Sequence, residues 1–206
     1  MRINKQALNT ILLGGMLVAG GHLPSRLEYL SFFGVVFVAS LVVHSRNMFL
    51  RVLLHLSAAL FVLAWFDSFS SVVENVVFSL CTIVCITSCI YSTIRNEFQV
   101  KEFKKGDLLP LINCYIAAGY CWALMYIVIE TISPGSFTGA SLRVNSVNKF
   151  VYYSFVTMTT IGYGDIFPVS VLAQRLCIAQ AVFGQFYFAL IVTYLLNKLF
   201  QQRVRC

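Results

Sequence analysis

The feature that most narrows what this chain can fold into is a succession of long apolar runs. They occupy residues 7–23, 27–43, 48–66, 72–94, 108–130 and 170–200. Each is near or above the roughly 20 residues an α-helix needs to cross a bilayer, the first two being the shortest. Hydrocarbon offers no water to the backbone, so each run is expected as a helix whose hydrogen bonds are internal. Composition agrees: 59% of the residues are hydrophobic and 11% are charged, against about 25% charged in soluble domains. The expected architecture is an all-α membrane protein with six transmembrane helices. The first run resembles a signal peptide, with Arg2 and Lys5 ahead of it and Val18-Ala19-Gly20 near its end. It is read as the first span.

The placement of charge tests this topology. With both termini cytoplasmic, eleven Lys and Arg residues fall inside, and only Arg26, Arg143, Lys149 and Arg175 fall outside. That is the bias expected of cytoplasmic loops. It also accounts for the net charge of +7 without nucleic acid as a partner. Residues 95–107 form a charged connector in which Phe98, Val100 and Phe103 alternate with the charges, the pattern of a helix lying on the cytoplasmic leaflet. Lys101, Lys104 and Lys105 there can meet anionic lipid headgroups or stand as a solvated charge run. Cys81, Cys85 and Cys89 recur every four residues and share a helix face. With Cys114, Cys121 and Cys177, they read as small packing residues and not as metal or redox chemistry. Walker loops, zinc spacings and paired carboxylates are missing, so the chain is not expected to be an enzyme and no cofactor is expected.

The chemistry lies in Thr157-Met158-Thr159-Thr160-Ile161-Gly162-Tyr163-Gly164-Asp165. A dehydrated cation needs oxygens on all sides. Consecutive backbone carbonyls can supply them only if alternate residues adopt right- and left-handed conformations. Gly162 and Gly164 are spaced to take positive φ without steric cost. Lys149 to Thr159, just before, is too short to cross a membrane and reads as a re-entrant helix. Such a segment is tolerated only inside surrounding protein.

Thr160 to Gly164 differs by one methylene from Thr-Val-Gly-Tyr-Gly, and here the chain closely resembles the potassium channel family. The resemblance covers residues from about 107 to 200. It implies a homotetramer whose selectivity filter is Thr160, Ile161, Gly162, Tyr163 and Gly164, with K+ as the permeant ion held at Thr160, Ile161, Gly162 and Tyr163. Tyr152-Tyr153 stands where many relatives carry two tryptophans. By that correspondence Tyr152 hydrogen bonds Asp165, and Tyr153 packs near Tyr163. Val156 replaces a glutamate found in some bacterial relatives. The re-entrant helix is expected to turn the negative end of its dipole toward an ion cavity. Gly184 falls at the position of the inner-helix glycine hinge and is either a gating pivot or a close helix contact. Phe188, Ile191 and Leu195 are candidates for a lower constriction.

Six spans with a pore after the fifth resemble the voltage-gated architecture. A voltage sensor needs several basic residues on its fourth helix. Residues 72–94 carry only Glu74, so weak or absent voltage dependence is expected. The resulting division is 1–94, a sensor-like domain without gating charges; 95–107, the linker; and 108–206, the pore domain. No ligand-binding domain is expected after Cys206. The rival readings are a regulatory or silent subunit that needs another pore-forming chain, and a potassium transporter subunit. The latter is disfavoured because its family carries four pore loops per chain. The lack of Asn-x-Ser/Thr sites and of long loops points to a bacterial inner membrane.

Overall fold

The computed structural model describes residues 71–139 and 146–204 apart from 99–107, with Ile11, Phe33, Gly34, Val36, Val52 and residues 55–59. The first three expected spans, and the lipid-facing role of Lys101, Lys104 and Lys105, therefore lie outside the described residues.

Four helices dominate. Helix α1 spans Ser71–Phe98, α2 Leu108–Ile132, α3 Ser146–Met158 and α4 Val171–Val204. Two-residue strands β1, Phe137–Thr138, and β2, Phe167–Pro168, pair antiparallel, with Phe137 opposite Pro168. Among the described residues, Leu109–Ile132 and Val171–Tyr194 are long and apolar enough to cross a membrane. Helix α1 contains a shorter apolar stretch, Asn75–Ser88. Pro110 sits in the first turn of α2, where a missing N–H costs nothing.

Several helix boundaries differ from expectation by one to four residues. Helix α1 runs through Phe98, so the start of the charged connector is the last turn of the preceding helix. Residues 99–107 are outside the described set. Helix α3 begins at Ser146 and ends at Met158, not Lys149 to Thr159. At 1.5 Å per residue its thirteen residues reach only about 20 Å, less than the bilayer core.

One hydrophobic cluster joins α1, α2 and α3. Phe78, Cys81, Cys85 and Ile86 of α1 meet Tyr120, Leu124 and Ile127 of α2, and the cluster continues to Phe150 and Tyr153 of α3. The described cysteines are free thiols, and Cys81, Cys85, Cys114, Cys121 and Cys177 are buried, as packing residues should be. Helix α4 is different. Of its apolar window only 17% is buried within the chain, against 67% for α2. An apolar helix left this bare is covered by lipid or by other protein.

Candidate functional site

The run after α3 folds back along the end of that helix. The N–H groups of Thr159 and Thr160 donate to the carbonyls of Phe155 (2.9 Å) and Thr157 (3.1 Å). Those of Ile161 and Gly162 converge on the Val156 carbonyl at 3.0 and 3.4 Å. In a planar trans peptide the C=O points opposite to the N–H it is bonded with. The carbonyls of Thr159, Thr160 and Ile161 are thereby directed away from α3.

Backbone handedness alternates along this run. Thr160, Gly162 and Gly164 have φ of 60°, 57° and 79°, while Ile161 and Tyr163 between them are not in the left-handed region. Positive φ is free for glycine but costly for a β-branched residue, so Thr160 is held there by its surroundings. The side chains of Ile161 (55% exposed) and Tyr163 (67%) are largely uncovered within the chain.

The Tyr152 and Tyr163 rings stack with centroids 6.3 Å apart and planes 1° from parallel. Slight desolvation and the Asp165 carboxylate, which its hydroxyl hydrogen bonds, raise the Tyr152 phenol above its ordinary range. Tyr152 thus both reaches Asp165 and packs on Tyr163. Within the chain it is the Tyr152 ring, not that of Tyr153, that lies against Tyr163. Tyr153 is buried against Tyr126 and Phe137, with centroids at 5.3 and 5.5 Å, and its hydroxyl contacts Cys177 Sγ at 3.0 Å. Successive residues of a helix point about 100° apart, so adjacent tyrosines cannot serve one face.

The outer rim is tied down by a residue the sequence reading passed over. Glu130, buried at the end of α2, accepts from the Gly135 N–H (2.8 Å) and the Phe137 N–H (3.0 Å). The Ser136 carbonyl accepts from the Val169 N–H at 2.8 Å, and Gly139, with φ of 81°, lies against the Asp165 carbonyl. The loop before α3 is thereby stapled to the segment that follows Asp165. A lone acidic residue closing an apolar run was the available signal.

Lower down, Gly184 lies against the Met158 carbonyl oxygen, where a β-carbon would overlap it. The close-contact reading accounts for this glycine within the chain, and α4 is continuous through it. Phe188 is exposed. Ile191 lines a cavity of about 680 Å³ with Thr87, Ile90, Trp122 and Tyr187. Three helical steps leave it about 60° from Phe188, enough to turn it toward α1 and α2. The Leu195 side chain is outside the described residues. No group of three or more metal-ligating side chains occurs among the described residues.

In chain order, a short helix that ends in a run of alternating backbone hand lies between two long apolar helices. Residues 115–201 match the family model described as Ion channel. The chain is 28% identical over 116 residues to the voltage-gated potassium channel Kch of Escherichia coli, covering 56% of this chain and 26% of that one. It is 35% identical over 78 residues to the inward rectifier potassium channel Kirbac3.1 of Paramagnetospirillum magnetotacticum, covering 36% and 23%. It is 29% identical over 86 residues to potassium channel K2 of Plasmodium falciparum, covering 41% and 5%. The chain thus spans about a quarter or less of these relatives. No solved structure matches it. The similarities are to ion channels and not to an enzyme.

Proposed function

We propose that this chain is one subunit of a homotetrameric potassium-selective channel that conducts K+ passively. The observation that carries the reading is the backbone from Thr160 to Gly164: alternate residues are left-handed, and its first N–H groups are turned onto α3. This leaves oxygens on the side away from the helix, where symmetry-related copies can complete a cage around a dehydrated cation. The exposed Ile161 and Tyr163 and the bare apolar surface of α4 are what neighbouring subunits would cover. K+ would bind at Thr160, Ile161, Gly162 and Tyr163. Asp165 adds negative charge at the outer mouth and concentrates cations there. Tyr152 braces the filter from behind.

The remainder follows from the sequence topology: six spans, cytoplasmic termini, a bacterial inner membrane, and a first domain, residues 1–94, that lacks gating charges and confers weak or no voltage dependence. Reconstitution of the purified chain alone into liposomes tests the core of it. Potassium-selective flux from a tetramer is expected. A folded tetramer without flux would assign the chain a regulatory role beside another pore-forming subunit.

A further inference from the structure

One buried amide joins the three helices around the candidate filter. Gln180 of α4 has no exposed surface. Its Nε2 donates to the Ser154 carbonyl at 3.0 Å and to Ser154 Oγ at 2.7 Å, and its Oε1 accepts from the Tyr126 hydroxyl. Ser154 Oγ donates onward to the Gly119 carbonyl at 2.7 Å. The network therefore runs from α4 through α3 to α2. A polar side chain within a membrane bundle is costly unless its hydrogen bonds are made, and here both ends of the amide are used.

The contact also has a register. Gln180 and Gly184 are four residues apart on α4, and Ser154 and Met158 are four apart on α3, so each pair shares a helix face. Gln180 meets Ser154 and Gly184 meets Met158. On α2, Gly119 admits the Phe155 ring, whose nearest atom would lie 2.5 Å from an added β-carbon. The face of α3 set in this way ends one residue before Thr159, where the chain turns into the run of alternating hand.

We propose that Gln180 is a positioning residue for ion selection: its amide sets how far α3 is advanced along α2 and α4, and with it the placement of the Thr160–Gly164 carbonyls. The inference rests on the reading of those residues as a selectivity filter. Gln180 touches no part of the filter and acts only through Ser154.

The test uses the full chain in planar bilayers, with the K+/Na+ permeability ratio read from reversal potentials and thermal unfolding measured alongside. Gln180→Leu keeps the bulk and removes both hydrogen-bonding ends. It is expected to lower the ratio about tenfold, the scale of a lost buried hydrogen bond, in a protein that still unfolds cooperatively. Gln180→Glu, neutral in this buried setting, keeps an acceptor for Tyr126 and a donor for Ser154, and is expected to restore most of the ratio. If Gln180→Leu does not fold, Tyr126→Phe, which removes the Oε1 partner and the hydroxyl's contact with Cys177 but keeps both bonds to Ser154, should still lower the ratio. A folded Gln180→Leu or Tyr126→Phe protein of unchanged ratio and lowered melting temperature would reduce Gln180 to packing and overturn the proposal alone. An unchanged ratio in Gly162→Ala would overturn the filter reading, and this proposal with it.

Discussion

Gly184 of α4 and Met158, the last residue of α3, are in backbone contact: the Met158 carbonyl oxygen occupies the space a β-carbon on residue 184 would need. Gly184→Ala must therefore push the two helices apart. It is expected to destabilise the protein by about 1–3 kcal/mol, as overpacking does. Thermal unfolding of the purified protein checks this. A pivot role would instead change open probability and leave the melting temperature where it was.

Gly162 has φ of 57° and open space where a β-carbon would go. The cost of Gly162→Ala is therefore conformational and not steric, about 1–2 kcal/mol for an L-residue in this region. Relaxation of that strain would rotate the neighbouring carbonyls. Permeability ratios should fall toward unity, and K+-over-Na+ selectivity kept at the wild-type level would remove Gly162 from the filter.

Glu130 caps two main-chain donors in the loop before α3. Glu130→Ala strands the buried Phe137 N–H, at about 1–3 kcal/mol, and leaves that of the exposed Gly135 to water. Amide hydrogen exchange should accelerate at Gly135 and Phe137 and spread to the β1–β2 pair. Protection unchanged at both amides would show that the carboxylate is dispensable.

The Tyr152 phenol is raised above its ordinary 10.0 by slight desolvation and by Asp165. A group whose pKa is higher in the folded state contributes its full stability below the unfolded value and loses it as pH rises through the folded one. The Tyr152–Asp165 contact should thus hold from neutrality to beyond pH 10. The conductance difference between wild type and Tyr152→Phe is expected to be constant over that range and to vanish only above it. A difference that fades between neutrality and pH about 9 would mean the phenol titrates early.

Helix α1 carries no basic residue between Ser71 and Ile94. One charge moved through 100 mV is worth about 2.3 kcal/mol, so steep gating needs several. Glu74→Gln should leave the midpoint and slope of the conductance–voltage relation unchanged. A large shift in either would reveal a gating charge at that position.

Much of this architecture was legible in the chain because it is local. Helices α1, α2 and α4 follow from long, mainly apolar runs, and the shortness of α3 follows from the polar residues around it. Positive φ at Gly162 and Gly164 follows from glycine itself. The left-handed Thr160 was less accessible: alternation was legible, but a β-branched residue enters that region only when its N–H is held by the Thr157 carbonyl and its neighbour's by Val156.

By itself the sequence determined which segments are apolar enough to form long helices and where a peptide run of alternating hand can form, since hydropathy and glycine conformation act within a few residues of the chain. Only the tertiary structure decided which tyrosine backs Tyr163, that Ile191 turns toward α2, and that Glu130 and Gln180 hold the loop and α3 in place. Those choices depend on which helix face meets which. Gln180 and Ser154, 26 residues apart, become partners only once α3 has docked against α4.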